Sequence, residues 1–122
     1  WQMDRAGQWT KGKSADTFAP LGPWLVTSDA VRDPQALRLT LDIDGRRMQD
    51  GSTETMVYGV SYLVHYLSHV MSLQPGDVIS TGTPPGVALG RADTPWLRPG
   101  QVMEAEVEGL GRQRSRIVAT PG

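Results

Sequence analysis

The sequence predicts a mostly β protein with one main helix, an α+β fold, and three observations support that prediction. The 122 residues include 14 Gly and 9 Pro spread along the chain, which indicates many short elements joined by turns. Residues 36–43, 102–108 and 112–118 alternate apolar and polar side chains, as half-exposed strands do. Residues 60–71 repeat apolar side chains every three or four positions, which is the period of an amphipathic helix. The length fits one domain.

The first half of the chain predicts a loop followed by a hairpin. Residues 1–23 mix Trp, Lys, Gly and Pro without any period, so we expect an extended segment of the kind that often lines a site. Residues 36–43 form the first predicted strand. Asp44 and Gly45 are a strong signal for a two-residue turn, after which residues 46–49 return as the second strand.

The second half predicts the helix, a short strand and a closing hairpin. A Pro-Gly turn ends the helix, and residues 77–81 are then predicted as a short buried strand. The two prolines that follow cannot donate hydrogen bonds to a strand ladder, so we expect a loop over residues 82–86. The last two alternating segments form a hairpin around the Gly-Leu-Gly turn at 109–111, with one face in water.

Composition excludes several classes of protein. Twelve Lys and Arg against thirteen Asp and Glu give a net charge of −1, so no overall field would hold nucleic acid or an anionic membrane surface. The absence of Cys excludes disulfide scaffolds, thiolate zinc sites and cysteine nucleophiles, and it fits a reducing, cytoplasmic location. No apolar run approaches the ~20 residues of a membrane span. Because Trp1 rather than Met opens the chain, we expect a fragment or a processed piece.

Several common site motifs are absent or incomplete. The sequence has no Gly-x-Ser-x-Gly elbow, phosphate-binding loop or His-Glu-x-x-His helix, so triad hydrolases, nucleotide hydrolases and zinc peptidases lose support. His65 and His69 have the spacing of two metal ligands on a helix, but a metal site needs more than two ligands. We therefore expect both histidines to be solvated.

Charged residues near the predicted hairpins have two readings each. Asp42, Asp44 and Asp50 cluster around the first hairpin and could bind a cation, although turns usually contain Asp for backbone reasons. Three arginines share one face of the last strand, where they could meet an anion but more simply keep an edge strand soluble: Arg112, Arg114 and Arg116.

Two loops contain residues that suit the binding of an anion. Lys11 and Lys13, separated by a Gly in a Trp-flanked segment, could present one ammonium to a carboxylate or a developing enolate, or both could be solvated. Thr81 and Thr83 lie two residues apart around Gly82, which permits close approach of a ligand to the backbone. This loop is either a carboxylate cradle or a Pro-rich turn without a ligand.

Four ordered motifs together resemble the fumarylacetoacetate hydrolase family. They are Gln8-Trp-Thr-Lys-Gly-Lys-Ser14, Asp16-Thr-Phe-Ala-Pro-Leu-Gly-Pro-Trp24, Gln49-Asp-Gly-Ser-Thr53 and Pro75-Gly-Asp-Val-Ile-Ser-Thr-Gly-Thr-Pro-Pro-Gly-Val87. The resemblance covers nearly the whole chain and extends to the bacterial branch labelled as ureidoglycolate lyases or 2,4-diketo-3-deoxy-sugar-acid hydrolases.

The resemblance implies a fold, an ion and an assembly. Residues 1–122 would be the C-terminal part of a single catalytic domain, a mixed β-roll that is incomplete in this chain. The family resemblance further implies a homodimer and a Mg²⁺ or Mn²⁺ ion that activates a small keto or diketo acid. The carboxylate ligands of that ion, Glu-x-Glu and a later Asp, and an acid-base His-Glu pair are expected upstream of Trp1, so no metal ligand is expected in this chain.

The same resemblance implies the roles of individual residues. Lys13 takes the active-site lysine position, Thr83 the position that contacts the substrate carboxylate, beside Gly82, and Gln2 that of a substrate-contacting glutamine, while Lys11 is expected at the surface. The implied reaction is hydrolysis of a carbon–carbon bond in a 2,4-diketo acid through a metal-stabilised enolate. A decarboxylase, isomerase or ureidoglycolate lyase with the same site stays open, and so does a catalytically inactive fragment.

Overall fold

A computed structural model describes residue 7, residues 9–93 and residues 96–119. In this part of the chain four strands form one antiparallel sheet, in which the first strand lies between the second and the third, and the fourth lies beside the third. The α+β fold predicted from the sequence is confirmed. The elements are α1 (Trp9–Lys13), β1 (Arg38–Ile43), β2 (Arg46–Ser52), α2 (Val60–Ser68), β3 (Val102–Val107) and β4 (Gly111–Arg116), with short 3₁₀ turns at Thr53–Thr55 and Ala88–Gly90.

The predicted turn between β1 and β2 is present and is tied to a third strand. Asp44 and Gly45 have φ angles of 49° and 78°, the left-handed conformation that a two-residue hairpin turn of this kind requires. Asp44 Oδ1 accepts a hydrogen bond from the Val102 backbone N at 2.8 Å. The Asp44 backbone N donates to the Val102 carbonyl at 2.9 Å. Asp44 therefore fixes both the hairpin and its position beside β3.

The sheet has one apolar and one charged face, as the alternation predicts. On the apolar face, Leu39, Leu41 and Ile43 lie opposite residues 107, 105 and 103 of β3. On the charged face, Glu104 pairs with Arg112 and Arg114 at 3.2 and 3.7 Å. The side chains at positions 112, 114 and 116 are exposed on the edge strand β4, as the simpler of the two interpretations of these arginines requires.

A bulge interrupts β2 at Met48. Leu41 pairs with Gln49, whereas the next residue of β1 pairs with Arg47, so Met48 is an extra residue on β2. Met48 and Gln49 are consecutive, yet both are buried, with 7% and 9% of their surface exposed. Among the described residues, Met48 is the only hydrophobic residue that is buried to this extent. The bulge thus brings one apolar and one polar side chain into the best-protected part of the structure.

Helix α2 begins at the predicted residue but ends three residues early. A distant side chain caps its start, because the Val60 backbone N donates to Gln35 Oε1 at 2.6 Å. At the other end, Ser68 Oγ donates to the His65 carbonyl at 2.7 Å, and the His69 ring nitrogen lies 2.8 Å from the same oxygen. These side chains bind the His65 carbonyl, which a continuing helix would use for a backbone hydrogen bond. The helix therefore ends at Ser68, and the predicted span 60–71 is too long.

Two other local predictions are wrong. Residues 77–81, predicted as a short buried strand, form no strand, and Val78 is 66% exposed. Within the described residues no strand pairs with this segment, so its apolar composition leads to no ladder. The expected irregular segment 1–23 contains the short helix α1, in which Ser14 Oγ donates to the Thr10 carbonyl at 2.6 Å.

An irregular segment docks on the last strand. Gln113 Nε2 donates to the carbonyls of Pro20 and Gly22 at 3.2 and 2.7 Å. Gly111 permits the approach, because a Cβ at this position would meet Trp24 Cζ2 at 2.7 Å. The segment and the sheet enclose an apolar groove of about 590 Å³. Residues 20–24, which end the second motif of the family resemblance, thus pack on β4.

Large apolar side chains remain exposed across the described structure. Trp24, Leu25 and Val57 are 62%, 93% and 89% exposed, and the ring of Tyr62 on α2 stacks with those of Tyr58 and Tyr66 on an exposed helix face. None of the helices in the described part of the chain is long and apolar enough to cross a lipid bilayer. Because so many apolar side chains are exposed, the described residues bury only a small core for a chain of this length.

Replacement of Gly111 by Ala tests the docking of Trp24. Gly111 and Gly109 both have positive φ angles, 89° and 73°, so alanine strains the backbone at either position by about 1–2 kcal/mol. Only the Cβ at position 111 also meets Trp24. We expect Gly111→Ala to lower the free energy of unfolding in urea by about 1–3 kcal/mol more than the control Gly109→Ala. Equal losses would contradict the packing of Trp24 on β4.

Candidate functional site

Thr83 lines a cavity between the sheet and the start of α2. The cavity has a volume of about 280 Å³ and is formed by the Thr81–Pro85 loop, the 3₁₀ turn that follows β2 and the first residues before and within α2. Leu39 and Leu63 contribute apolar walls. Five lining residues carry a hydroxyl group: Ser52, Thr53, Thr55, Thr81 and Thr83. The lining is more apolar than polar, and the Thr55 hydroxyl already donates to the Ser52 carbonyl at 2.8 Å, so the cavity suits a small ligand with both apolar and hydrogen-bonding groups.

Gln49 attaches the loop of Thr83 to strand β2. Its Nε2 donates to Thr83 Oγ1 at 2.8 Å and to the Pro84 carbonyl at 2.7 Å. Gln49 is buried, so these hydrogen bonds satisfy an amide that would otherwise be costly to bury. The loop therefore has a fixed position relative to the bulge at Met48.

Two glycines allow the loop to lie directly on the strand. A Cβ at Gly51 would meet Pro84 Cβ at 2.6 Å, and a Cβ at Gly86 would collide with the Met48 carbonyl oxygen. Gly86 also has a φ of 114°, which other residues rarely adopt. At Gly51 and at Gly86 the strand and the loop are thus closer together than a Cβ atom would permit.

The remaining residues of the Gln49–Thr53 motif stabilise the same region. Asp50 forms ion pairs with Arg38 at 2.7 Å and with Arg47 at 3.2 Å, and the hydrogen bond from Arg38 lowers the pKa of the Asp50 carboxyl. Ser52 Oγ accepts from the Glu54 backbone N, which caps the 3₁₀ turn. Thr53 Oγ1 accepts from the Leu37 backbone N at 2.9 Å. The motif is a structural unit that supports the cavity wall.

The acidic cluster of the first hairpin is engaged within the protein. Asp42 pairs with Arg47 at 2.7 Å, Asp50 pairs with Arg38, and Asp44 holds the turn. The His65 and His69 rings contact each other edge to face at the C-terminal end of α2. In the described ranges, no group of three or more His, Asp or Glu residues could hold a metal ion.

The other predicted site residues lie apart from this cavity or outside the described structure. Lys13 is the last residue of α1 and is exposed, as is Lys11. Lys13 is not among the residues that line the cavity of Thr83 and Gly82, so its role in one site with them stays a prediction. Gln2 lies outside the described residues, and its role as a substrate contact stays a prediction as well.

Comparison with known proteins decides the family. Residues 1–118 match the family model described as fumarylacetoacetate (FAA) hydrolase C-terminal. The chain belongs to the fumarylacetoacetate hydrolase family. It is 59% identical over 117 residues to a Burkholderia cenocepacia protein named "Putative hydrolase", and this match covers 95% of the chain but 42% of that relative. The chain thus spans less than half the length of this curated relative of the same family.

Solved structures of the fumarylacetoacetate hydrolase family share the fold. The maleylpyruvate hydrolase of Sphingobium sp. SYK-6, in complex with manganese(II) and pyruvate, is 35% identical, with a TM-score of 0.77 over 84% of this chain and 36% of that one. The 5-carboxymethyl-2-hydroxymuconate delta-isomerase of Mycobacterium smegmatis is 36% identical, with a TM-score of 0.85 over 99% of this chain and 44% of that one. Hydrolases and isomerases therefore share this architecture.

Sequence reasoning from the residues did not identify Gln49 as a partner of the Thr83 loop. The two are 34 residues apart and belong to different elements. Gln49 and Thr83 belong to two of the motifs that carry the family resemblance, but neither spacing nor composition indicates that these motifs touch. A buried Gln beside a bulge becomes visible only when the sheet is assembled.

Replacement of Gly51 by Ala tests the close contact between strand and loop. Gly51 and Gly90 both lack a positive φ, so alanine adds only a Cβ at either position. The new Cβ meets Pro84 at position 51 and open space at position 90. We expect Gly51→Ala to lower the free energy of unfolding in urea by about 1–3 kcal/mol. Gly90→Ala should change it by less than about 0.5 kcal/mol. A silent Gly51→Ala variant would show that the loop does not rest on β2.

Proposed function

We propose that the protein acts in the metal-dependent hydrolysis of a carbon–carbon bond in a 2,4-diketo acid of the acylpyruvate type. The observation that carries this proposal is the cavity at whose wall Gln49 binds the Thr83 hydroxyl. A similar protein of the family, the Sphingobium maleylpyruvate hydrolase, has been solved with manganese(II) and pyruvate. Pyruvate is the common product of acylpyruvate hydrolysis, and the Thr83 hydroxyl at the wall of this cavity can donate to its carboxylate.

The reaction has a simple balance. Water adds a hydroxyl group to the acyl carbon at C4, and the bond between C3 and C4 breaks. Its electron pair remains on the pyruvate half as an enolate, which takes up a proton. The products are a carboxylic acid and pyruvate. Stabilisation of the negative charge on the departing half is therefore the main electrostatic requirement of the site.

The residues of this chain meet part of that requirement. We propose that Thr83 donates a hydrogen bond to the substrate carboxylate, and that the φ of 100° at Gly82 keeps the adjacent backbone clear of a side chain. The Lys13 ammonium would stabilise the developing negative charge as a compact cation, and Gln2 would orient the substrate. Each role is consistent with the residue's chemistry and with the family motifs.

The divalent ion in this proposal, Mg²⁺ or Mn²⁺, does not fit the described residues. The carboxylates of the hairpin are engaged by arginines or by the turn, and no sufficiently large group of ligands is present in the described part of the chain. We propose that the ligands of the ion lie elsewhere in the complete gene product. The 122-residue chain alone is then expected to be catalytically inactive.

Isomerisation is the second candidate function. The M. smegmatis structure named as a delta-isomerase has a TM-score of 0.85 with this chain. An isomerase also passes through an anion next to a carboxylate, so the same cavity would serve it. Decarboxylation or ureidoglycolate cleavage would impose similar requirements on Thr83 and Lys13. The products of the reaction distinguish these candidates.

An assay of the complete gene product tests the proposed function. We expect it to release pyruvate from maleylpyruvate or from simpler acylpyruvates when Mg²⁺ or Mn²⁺ is added, and to lose this activity in EDTA. Release of pyruvate is measured by coupled oxidation of NADH. An absorbance change without release of pyruvate would favour the isomerase. Absence of any reaction with a panel of acylpyruvates and either ion would contradict the proposal.

Replacement of the two lysines separates the catalytic cation from its neighbour. We expect Lys13→Ala in the complete gene product to lower turnover by about 10²-fold or more, because it removes a donor to the developing anion. Lys11→Ala is the matched control, since both lysines are exposed residues of α1 and the change in charge is the same. Steady-state kinetics measure both variants. Equal turnover in the two variants would remove Lys13 from the mechanism.

A further inference from the structure

The orientation of the Gln49 carboxamide follows from the chemistry of its neighbours. The Pro84 carbonyl oxygen can only accept a hydrogen bond, so the Gln49 atom at 2.7 Å from it must be the NH₂ nitrogen. The same nitrogen lies 2.8 Å from Thr83 Oγ1. The nitrogen therefore donates one hydrogen to each of these two oxygens, and the Thr83 oxygen is the acceptor in its bond with Gln49.

The Thr83 hydroxyl proton is left available for a ligand. A hydroxyl has one proton to donate, and its oxygen already accepts from Gln49. The other oxygen within reach, the Pro84 carbonyl, lies 3.5 Å away, which is long for a hydrogen bond from a hydroxyl. Thr83 is exposed at the cavity wall. Its proton can thus turn toward an acceptor in the cavity.

We propose that Gln49 is a positioning residue that makes Thr83 a hydrogen-bond donor to an anionic oxygen of the bound keto acid. This inference rests on the proposed function, because it names the group that Thr83 meets. A free hydroxyl can donate or accept, but one that already accepts from a buried amide is a stronger donor on its other side. Gln49 therefore favours a carboxylate, which only accepts, over a neutral group that donates.

The fixed position of the loop supports the same role. Gly51 and Gly86 bring the loop against β2, so Thr83 cannot move away from Gln49 without the loss of close backbone contacts. Gln49 acts on the ligand through Thr83 and is not among the residues that line the cavity. A role of this kind predicts that the effect of Gln49 disappears when the Thr83 hydroxyl is removed.

A double-mutant cycle in the complete gene product tests this inference. Gln49→Met keeps the length of the side chain but has no hydrogen to donate, and Thr83→Val removes the hydroxyl. The readouts are the dissociation constant of pyruvate with saturating Mn²⁺, by calorimetry, and KM and kcat for an acylpyruvate. We expect each single variant to weaken pyruvate binding about tenfold or more. The double variant should bind no more weakly than Thr83→Val alone.

Two further variants distinguish orientation of the hydroxyl from support of the fold. In the Thr83→Ser background, which keeps the hydroxyl, Gln49→Met should still weaken binding of pyruvate. Gln113→Met is the matched control: it also removes an amide that joins a Pro-containing segment to a strand, but this amide bonds to two carbonyls and lies on β4. Gln113→Met should leave the affinity for pyruvate unchanged even where the melting temperature falls.

A variant of equal size covers the case in which Gln49→Met does not fold. Gln49→Glu introduces a carboxylate, which draws the Thr83 proton away from the ligand. At neutral pH it should weaken binding of pyruvate by at least as much as Gln49→Met. Binding at wild-type affinity in whichever of the two variants folds would overturn the inference.

The remaining outcomes separate this inference from the proposed function. Equal losses from Gln49→Met in the wild-type and Thr83→Val backgrounds would overturn the inference and leave the proposed function in place. A wild-type gene product that neither binds pyruvate nor cleaves acylpyruvates would overturn both. Coupling between the two positions, with Gln113→Met silent, supports the inference.

Discussion

The two hydrogen bonds of the Gln49 carboxamide are the contact on which the candidate site depends. They join the bulged strand β2 to a loop 34 residues later and thereby set where Thr83 stands. The bulge at Met48 brings Gln49 into a protected position, and Gly51 and Gly86 remove the side chains that would keep strand and loop apart. Without this contact, few other interactions would hold the Pro-rich loop in one conformation.

The sheet below this contact gives it a rigid base. Its charged face is held by ion pairs between neighbouring strands, and its apolar face supports the cavity on one side and the docked Pro20–Trp24 segment on the other. Much apolar surface stays exposed, and the chain spans 42% of a curated relative's length. Further protein surface would complete the burial that this sheet and helix begin.

Local features could be predicted from the sequence, whereas contacts between distant segments could not. The turn at Asp44 and Gly45 depends on neighbouring residues, and the apolar period marks the start of α2 even though the distant Gln35 caps it; both predictions are confirmed. The end of α2 depends on how the side chain of Ser68 binds a carbonyl, which periodicity does not reveal. Residues 77–81 have the composition of a strand, but a strand also needs a partner. The contact between Gln49 and Thr83 requires an assembled sheet.

In the proposed site, Gln49 presents the Thr83 hydroxyl to the carboxylate of a bound keto acid. A crystal structure of the complete gene product with Mn²⁺ and pyruvate tests it most directly. We expect a carboxylate oxygen of pyruvate about 2.5–3.0 Å from Thr83 Oγ1, with Gln49 Nε2 still in contact with that hydroxyl and with the Pro84 carbonyl. Pyruvate bound away from this loop, or a Thr83 hydroxyl turned away from both, would contradict it.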